Sequence, residues 1–299
     1  MKVITVASDI NNFFVNKFLI PSCQYFDLDL VVLNPLTTWH HHKIKDQFLA
    51  YYLKGLDPDE IVLFTDAYDT LLINDFAGII DAYHRFNANI VFSSEINCWP
   101  EPALLPIYHK IAANEDPVFL NSGGFIGKVS SIAEILHRYP ESPSHILHTK
   151  YKFKSRQVRD YDENYQWSNQ YYWTMVYFSQ PDAIDLDKDS KLFLTLGMSV
   201  STFDANYQEY RRVGTNSKIF TYEFDRIRDV LRTINYGKTA HLHFNNPISK
   251  HVLFELFKRE QLPDWIIEIL TDNHKSVGKS KTIVTMKYNE QTGAIEKII

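Results

Sequence analysis

The stretch EIVLFTDAYDTLLI, residues 60–73, places two carboxylates directly after a short apolar run. Residues 61–65 are typical of a buried parallel strand. Asp66 and Asp69 follow it, with Tyr68 between them. Two hard oxygen donors at this spacing can share a divalent cation such as Mn2+ or Mg2+. Because buried carboxylates need a counter-charge, this reading is favoured over a turn cap beside a solvated acid.

Polar side chains also accompany two other apolar runs. Glu95 follows the run at 90–93, and Asn121 follows Phe119-Leu120. Open α/β sheets bind ligands at the carboxyl ends of their strands, so these groups and the two aspartates are expected to converge on one sheet edge. Gly123 and Gly124 come next, and glycine allows a ligand to approach the backbone closely.

Histidine could supply a third metal ligand. His241 and His243 alternate along a short strand, which puts both on one face. His243 stands at the strand end, where it is either a plain hydrogen-bonding residue or the third ligand. Two carboxylates and one imidazole leave open positions on an octahedral ion for two phosphate oxygens. The triplet at 40–42 is predicted to be a solvated loop, because successive loop side chains point in different directions.

The elements that must hold these groups follow an α/β pattern. An opening strand at 2–7, a helix at 12–25 and a strand at 28–33 predict a parallel sheet with right-handed crossovers. Later strands are predicted at 218–222 and 239–244, with a helix over 223–234 between them. We expect one domain over 1–260 and a C-terminal helix with a polar tail over 261–299.

Composition narrows the functional classes. Hydrophobic residues make up 45% and charged residues 22% of the chain, as in a globular protein. A net charge of −5 gives no electrostatic case for nucleic acid. The two cysteines are compatible with a reducing compartment. No apolar run is long enough for a membrane span, and the N-terminus lacks a signal-peptide pattern. These features lead us to expect a cytoplasmic protein of bacterial or viral origin, and they leave the oligomeric state open.

Five sequence blocks in order resemble one known family. They read VLFTDAYD, VFSSEINCWPE, FLNSGGFIG, LDKDSKLF and HFNNPISK. The chain resembles the glycosyltransferase domain of the procollagen lysyl hydroxylases and its stand-alone relatives. That family implies a GT-A (Rossmann-like) fold, a mostly parallel central sheet flanked by helices, and an enzyme that uses UDP-sugars and Mn2+.

The resemblance also implies roles for individual residues. The implied metal ligands are Asp66, Asp69 and His243. The positions implied for the UDP-sugar are Trp39, Lys43, Asp66, Tyr68, Trp99, Asn121, Gly123, Gly124, Asn245 and Lys250. Candidates for the catalytic groups at the acceptor end are Asp162, Glu163, Glu95 and Gln170.

The chain departs from the family at the acceptor end. A run of aspartates ending in Asp-Asp-Gln is needed there for transfer, and this chain reads Trp167-Ser168-Asn169-Gln170. Acids occur a few residues upstream, and one of them could substitute. Phe244 and Asn246 also replace two glycines of the histidine block.

We therefore predict a metal-dependent hexosyltransferase that moves galactose or glucose from a UDP-hexose to a protein or glycan acceptor. Hydroxylysine or galactosyl-hydroxylysine of a collagen-like protein is the acceptor that the family suggests. The alternative is a catalytically weak UDP-sugar-binding protein. A phosphatase of the haloacid-dehalogenase type is disfavoured, since Tyr68 occupies the place of its second aspartate.

Overall fold

A computed structural model describes the chain except at residues 38, 40, 113–115, 117, 145–163, 198–204, 235–236, 273–280, 290–291, 293 and 299. The strands are β1 (Lys2–Val6), β2 (Leu30–Leu36), β3 (Ile61–Thr65), β4 (Thr70–Leu72), β5 (Ile90–Glu95), β6 (Phe119–Lys128), β7 (Ile184–Asp187), β8 (Phe193–Thr195), β9 (His241–His243), β10 (Thr282–Tyr288) and β11 (Ile295–Lys297). The helices are α1 (Ile20–Tyr25), α2 (Ile44–Leu53), α3 (Phe76–Tyr83), α4 (Leu105–Ala112), α5 (Val129–Arg138), α6 (Asn169–Ser179), α7 (Ala205–Val213), α8 (Lys218–Thr233), α9 (Pro247–Lys258) and α10 (Asp264–Thr271). A π-helical segment, Val15–Leu19, runs directly into α1.

Eight strands form a central sheet in the order β11-β10-β2-β1-β3-β6-β5-β7. Neighbouring strands are parallel except β6, which is antiparallel to both β3 and β5, and β11, which is antiparallel to β10. Helices cover the sheet, so the predicted α/β class with a mostly parallel central sheet is confirmed. Because β6 runs in the opposite direction, its beginning lies at the edge where β3 and β5 end.

Alternation along the strands explains the layers. On β3, Val62 and Phe64 join the core under α2, α5 and α6, whereas Leu63 joins the core under α1 and α3. Successive strand side chains point to opposite faces, so a strand that is apolar throughout is buried on both sides. The acidic loop after β3 is thus anchored in the middle of the protein.

A second, three-stranded sheet has the order β4-β9-β8. β4 continues directly from the acidic loop and pairs antiparallel with β9, with Thr70 opposite His243. A third core cluster, contributed mainly by α8, α9 and α10, packs on this small sheet. The small sheet therefore brings a late segment of the chain to the end of β3.

The predicted strand at 218–222 is wrong, because these residues form the first turns of α8. The residues KIFTY are β-branched and aromatic, which favoured a strand. Ser217 caps the helix by accepting a hydrogen bond from the Phe220 backbone. Phe220, Phe224, Ile227 and Leu231 are buried at helical spacing. Packing on one helix face outweighed local propensity.

The C-terminal region contains more than a helix and a polar tail. α10 is present as predicted, but β10 adds a parallel strand beside β2, and β11 pairs with β10. Met286 is buried in the same core as β1 and β3. The proposed boundary at residue 260 remains a prediction, although β10 joins the sheet of the preceding region. None of the helices in the described part of the chain is both long and apolar enough to cross a membrane.

We expect Met286→Ala to lower the free energy of unfolding by about 2–4 kcal/mol, since it removes a fully buried side chain from the main core. The matched control is Ile283→Ala on the same strand, because Ile283 is 38% exposed and should cost much less. Urea unfolding of both variants measures the difference. Equal midpoints for Met286→Ala and the parent would show that β10 does not contribute to the core.

Candidate metal and donor site

The three predicted metal ligands lie together at the end of β3. Asp66, Asp69 and His243 each offer one ligand atom, and these atoms lie within 4.8 Å of one another. His243 Nε2 is 3.5 Å from Asp69 Oδ1 and 4.0 Å from Asp66 Oδ2. Across the described residues, this is the one group of three or more such side chains close enough to share an ion.

Two threonines shape the acidic loop. The Thr70 hydroxyl donates to the Asp66 carbonyl at 2.6 Å and lies 3.0 Å from the Thr65 hydroxyl. The Phe244 backbone N–H donates to the Asp69 carbonyl at 2.8 Å. These bonds close the loop into a tight turn and fix it against β9. His243 meets Asp69 because the β4–β9 pairing places them side by side.

Asn121 determines which nitrogen of His243 faces the carboxylates. Its Oδ1 accepts hydrogen bonds from the Gly123 backbone at 3.0 Å and from His243 Nδ1 at 3.1 Å. An amide oxygen only accepts, so Nδ1 carries the proton in this contact. The lone pair of a neutral His243 is then on Nε2, toward the two aspartates. A hydrogen bond of this kind is what commonly orients a histidine that binds metal.

The buried carboxylate of Glu95 accepts hydrogen bonds from four side-chain amides. Its Oε1 accepts from Asn121 at 2.9 Å and from Gln170 at 2.7 Å. Its Oε2 accepts from Asn245 at 3.1 Å and from Asn97 at 3.4 Å. Burial raises the pKa of Glu95, and the bonds from Asn121 and Gln170 and the charge of His243 act against that rise. Both carboxylate oxygens are therefore already used in holding neighbouring side chains.

The two glycines make room for aromatic and histidine rings of the small sheet. A Cβ on Gly123 would lie 2.1 Å from His243 Cε1, and one on Gly124 would lie 2.9 Å from Phe193 Cδ1 and 3.1 Å from His241 Cε1. β6 pairs with β5 irregularly here, so that Phe92 is opposite Phe125 while Ser93 is opposite Asn121. A bulge of this type is common beside functional sites. The predicted close approach to the backbone is thus made by His243, and binding of the donor by these glycines remains a prediction.

Lys45, which the sequence interpretation missed, is the lysine that pairs with Asp66. Its Nζ lies 2.5 Å from Asp66 Oδ1, with 12% of the side chain exposed. Lys43, which is predicted for the UDP-sugar, has its Nζ 5.4 Å from the centroid of the Tyr172 ring, and its role at the donor remains a prediction. Lys43 also lines a cavity of about 600 Å3 together with Trp167 and Tyr172, whereas none of the three candidate ligands lines it. The helical start of α2 carries these two lysines in different directions.

The charged groups of the cluster shift one another's pKa values toward the ionised forms. Burial alone would raise the pKa of Asp66, but Lys45 and His243 hold it below its usual value. Burial alone would lower the pKa of His243, but Asp69, Asp66 and Glu95 raise it. A cation bound to the three ligands would replace the proton of His243, since metal binding requires the neutral imidazole. The donor set of two carboxylates and one imidazole fits a hard or borderline divalent ion.

His241 lies behind the ligands and is fully buried. Its Nε2 is 2.8 Å from the Thr65 hydroxyl, and burial lowers its pKa to about 3. It is therefore neutral, and it supports Thr65 at the end of β3. Of the predicted loop triplet, His41 and His42 are described. Neither belongs to a metal cluster within the described ranges, and the His42 backbone donates to the Trp167 carbonyl.

Two of the residues predicted for the UDP-sugar, Tyr68 and Lys250, lie together near the segment that follows β1. Tyr68 Oη accepts from the Asp9 backbone at 2.8 Å, and Lys250 Nζ lies 5.5 Å from the Tyr68 ring. Lys250 is in the first turn of α9, whose positive N-terminal end favours anions. Asn246 caps that helix and Phe244 is buried, so both replacements of family glycines have structural roles.

The end of the site that is predicted for the acceptor is aromatic and carries amides. Trp99 and Trp167 are 44% and 39% exposed, and their rings are 5.6 Å apart. Ser168 caps α6, and Asn169 accepts from the Ser122 hydroxyl at 3.3 Å. Trp39, which is predicted for the UDP-sugar, lies next to His42, with 6.1 Å between the two ring centroids. The predicted catalytic acids Asp162 and Glu163 lie outside the described residues.

The fold and this cluster define an α/β protein with a candidate metal site at the carboxyl edge of its sheet. The chain belongs to the PLOD GT domain family, whose sequence model matches residues 1–224. It is therefore a domain of the glycosyltransferase type, as the five sequence blocks predicted.

Related proteins fit this assignment. The chain is 28% identical over 163 residues to human multifunctional procollagen lysine hydroxylase and glycosyltransferase LH3, covering 52% of this chain and 19% of the relative. It is 28% identical over 145 residues to the procollagen-lysine,2-oxoglutarate 5-dioxygenase of Drosophila melanogaster, covering 46% and 20%. Protein R699 of Acanthamoeba polyphaga mimivirus is 24% identical over 124 residues, covering 38% and 27%. The matches thus span about a fifth to a quarter of these relatives.

Solved glycosyltransferases also resemble the chain. The galactosyltransferase LgtC, bound to donor and acceptor sugar analogues, aligns with 83% of this chain and 88% of its own, at a TM-score of 0.43 and 11% identity. A glycosyltransferase involved in glycosylation of the major capsid of PBCV-1 aligns with 84% and 98%, at 0.42 and 8%.

One buried acid next to the site should make stability depend on pH. Asp46 follows Lys45 on α2, and its Oδ1 accepts from Trp173 Nε1 at 2.9 Å. Its Oδ2 is buried with no hydrogen-bond partner in the described part of the chain. Burial raises the pKa of Asp46 to about 7. The folded protein therefore binds this proton more tightly than the unfolded chain does.

We expect the free energy of unfolding contributed by Asp46 to fall as the pH rises from about 4 to about 7, by up to roughly 1.4 kcal/mol per pH unit. Asp46→Asn should remove this fall, so its stability relative to the parent should grow between pH 5 and pH 8. Urea unfolding at both values measures it, with the exposed Asp81→Asn as the control. A constant difference between Asp46→Asn and the parent would contradict the expectation.

Proposed function

We propose that the protein is a metal-dependent hexosyltransferase that transfers galactose or glucose from a UDP-sugar to a hydroxyl acceptor. The observation that carries the proposal is the Asp66–Asp69–His243 cluster, in a chain that belongs to a glycosyltransferase family. Mn2+ is the proposed ion and Mg2+ the alternative. The class of ligand fits the position, since open α/β sheets bind nucleotides at this edge.

In the proposed reaction an acceptor hydroxyl oxygen forms a bond to the anomeric carbon of the sugar. The bond from that carbon to the diphosphate breaks, UDP leaves with the electron pair, and the hydroxyl proton passes to a base or to water. The bound ion would supply positive charge to the leaving diphosphate. Asp66, Asp69 and the Nε2 atom of His243 would hold it.

Lysines would supply the remaining positive charge. Lys250 lies beside Tyr68 at the start of α9. There it would face the diphosphate of a UDP-sugar whose uracil lies against Tyr68. Lys45 forms an ion pair with Asp66 Oδ1, so Asp66 Oδ2 is the oxygen that faces His243. We propose that Lys45 keeps Asp66 ionised and limits it to one ligand oxygen. Trp39, Lys43, Asn121 and Asn245 complete the proposed donor site.

Glu95 is proposed as a positioning residue. Each of its oxygens accepts from two amides, and its side chain is almost fully buried. It holds Asn121, which in turn orients His243, and Gln170 and Asn245 on its other sides. General-base catalysis, where the stereochemistry requires it, would then fall to Asp162 or Glu163, which lie outside the described residues.

A catalytically weak UDP-sugar-binding protein is the second candidate. It is favoured by one observation: Ser168 and Asn169 stand where the family has acids, and both are buried. Their oxygens accept from Tyr171 N–H and from the Ser122 hydroxyl. The acceptor, the donor sugar and a cytoplasmic location remain proposals, since the matches cover only part of the relatives.

Removing one ligand should abolish metal-dependent donor binding. We expect Asp69→Asn and His243→Ala each to weaken the binding of UDP in the presence of Mn2+ by at least about tenfold, because the two remaining ligands would hold the ion poorly. Calorimetric titration of UDP with and without Mn2+ measures this. Asp81→Asn, an exposed acid on α3, should bind UDP as the parent does. Unchanged Mn2+-dependent binding in either ligand variant would overturn the ligand assignment.

Turnover separates the two candidate functions. The enzyme is expected to release UDP from UDP-galactose or UDP-glucose with Mn2+, and to do so faster when hydroxylysine or galactosyl-hydroxylysine is added. Mass spectrometry of the acceptor should show one added hexose. UDP binding without release in any combination would favour the sugar-nucleotide-binding protein. Hydrolysis of a simple phosphoester, abolished by Asp66→Asn, would instead support the phosphatase reading.

A further inference from the structure

We propose that Lys45 is the counter-ion of the candidate metal site, and that it makes the binding of a divalent ion and of a nucleoside diphosphate depend on each other. This inference deepens the proposed function and rests on it. The carboxylate of Asp66 is shared, in this proposal, between the lysine and the ion.

Asp66 presents its two oxygens to different partners. Oδ1 pairs with Lys45 Nζ at 2.5 Å, and Oδ2 faces His243 Nε2 at 4.0 Å. The pair is shielded from water, since 12% of the Lys45 side chain and 21% of the Asp66 side chain are exposed. Salt and solvent screen a partly buried pair much less than a surface pair. The charge of Lys45 therefore acts at Oδ2 as well as at Oδ1.

Lys45 lowers the attraction of the cluster for another cation. Asp66 and Asp69 carry two negative charges, and the ammonium of Lys45 cancels one of them. A divalent ion shared by the three ligand atoms, which lie within 4.8 Å of one another, would meet that ammonium across the Asp66 carboxylate. Like charges so close together repel strongly where the dielectric constant is low. We therefore expect the ion alone to bind weakly.

The position of Lys45 on α2 favours an anion beside it. Lys45 lies in the first turn of the helix, which begins at Ile44 directly after Lys43. The N-terminal end of a helix carries partial positive charge and commonly binds phosphate. Two lysines at that end are unfavourable unless an anion is near, and Asp66 supplies one. A diphosphate would offer Lys45 a more highly charged partner than a single carboxylate does.

The backbones on both sides of the ion pair are fixed, whereas the lysine side chain is flexible. The Asp66 N–H donates to the Gly123 carbonyl at 2.8 Å, and the Asp66 carbonyl accepts from the Thr70 hydroxyl at 2.6 Å. On α2, Phe48 is fully buried. The four-carbon stem of lysine reorients its ammonium without movement of either backbone. A diphosphate would thus draw Lys45 away from Oδ1 and remove the repulsion of the ion.

The ion and the diphosphate would then favour each other through Lys45, in addition to any direct contact between them. Such coupling is reciprocal, because UDP must raise the affinity for the ion by the same factor by which the ion raises the affinity for UDP. A purely structural ion pair between Lys45 and Asp66 would stabilise the fold and leave this factor unchanged. Substitutions that keep or remove the charge of Lys45 therefore separate the two roles.

The test measures Mn2+ binding to the full chain by electron paramagnetic resonance at one fixed pH, without UDP and with saturating UDP. We expect Lys45→Gln to bind Mn2+ alone at least about tenfold more tightly than the parent, because the repelling charge is gone. The rise in Mn2+ affinity that UDP causes should be at least about fivefold smaller in Lys45→Gln than in the parent. Lys45→Arg should bind Mn2+ alone about threefold more weakly than the parent, because a guanidinium can hold both oxygens of Asp66.

Lys54→Gln is the matched control, since Lys54 is an exposed lysine at the other end of α2. It should bind Mn2+ as the parent does in both conditions, and thermal unfolding of each variant shows that it folds. Lys45→Arg keeps a charge beside Asp66, so it tests the inference even where the neutral variant fails to fold. Mn2+ binding tighter in Lys45→Arg than in the parent would overturn the inference.

Two other outcomes separate this inference from the proposed function. If the parent binds UDP with Mn2+ but Lys45→Gln binds Mn2+ alone no more tightly than the parent, the inference is overturned and the proposed function stands. If Lys45→Gln binds Mn2+ more tightly while neither chain binds UDP, the proposed transferase and the coupling to a diphosphate are both refuted. Lys45 would then be the counter-ion of a metal site with another purpose.

Discussion

His243 Nε2 lies 3.5 Å from Asp69 Oδ1, and this contact joins the small sheet to the central one. The two residues meet because β4 leaves the acidic loop and pairs with β9, with Thr70 opposite His243. The Phe244 N–H bond to the Asp69 carbonyl extends that pairing into the loop. The metal cluster depends on this pairing, since without it the two carboxylates would lack the imidazole of His243.

The second constraint is a buried carboxylate. Glu95 is 6% exposed, and desolvation of an unpaired charge at such a position is costly. Four amide groups offset that cost by donating to its two oxygens. The same bonds position Asn121 and thereby the His243 tautomer, and they position Gln170 beside Trp99. Stabilising one buried charge thus fixes both ends of the site.

The division between the two ends follows from this arrangement. At the metal and donor end the side chains are charged and their pKa values are shifted by one another. At the proposed acceptor end the family acids are replaced by a helix cap, an amide and an indole. Glu95 connects the two ends, since its Oε1 accepts from Asn121 on the metal side and from Gln170 on the other.

Several features of the fold could be predicted from the sequence because they depend on the local pattern of residues. Continuous apolar runs predicted β1 and β3, and the strand–helix–strand opening predicted a parallel sheet. The segment at 218–222 was misassigned because its β-branched and aromatic residues resemble a strand until their burial is seen. β10 was missed because it gains stability only by lying beside β2, a partner 251 residues earlier in the chain in the register Thr282 to Val31.

The acidic loop shows most clearly what the sequence determined and what the tertiary structure decided. The sequence by itself determined that Asp66 and Asp69 follow a buried strand and need positive charge, and its ordered blocks pointed to the family and to His243. Tertiary structure decided that Lys45 on α2 is the lysine that pairs with Asp66, since the direction of that helix brings its Nζ to the acidic loop. It also decided that Gly123 makes room for a histidine ring and that Glu95 is occupied by four amides. These are distances between segments far apart in the chain, and residue types and spacing alone do not specify them.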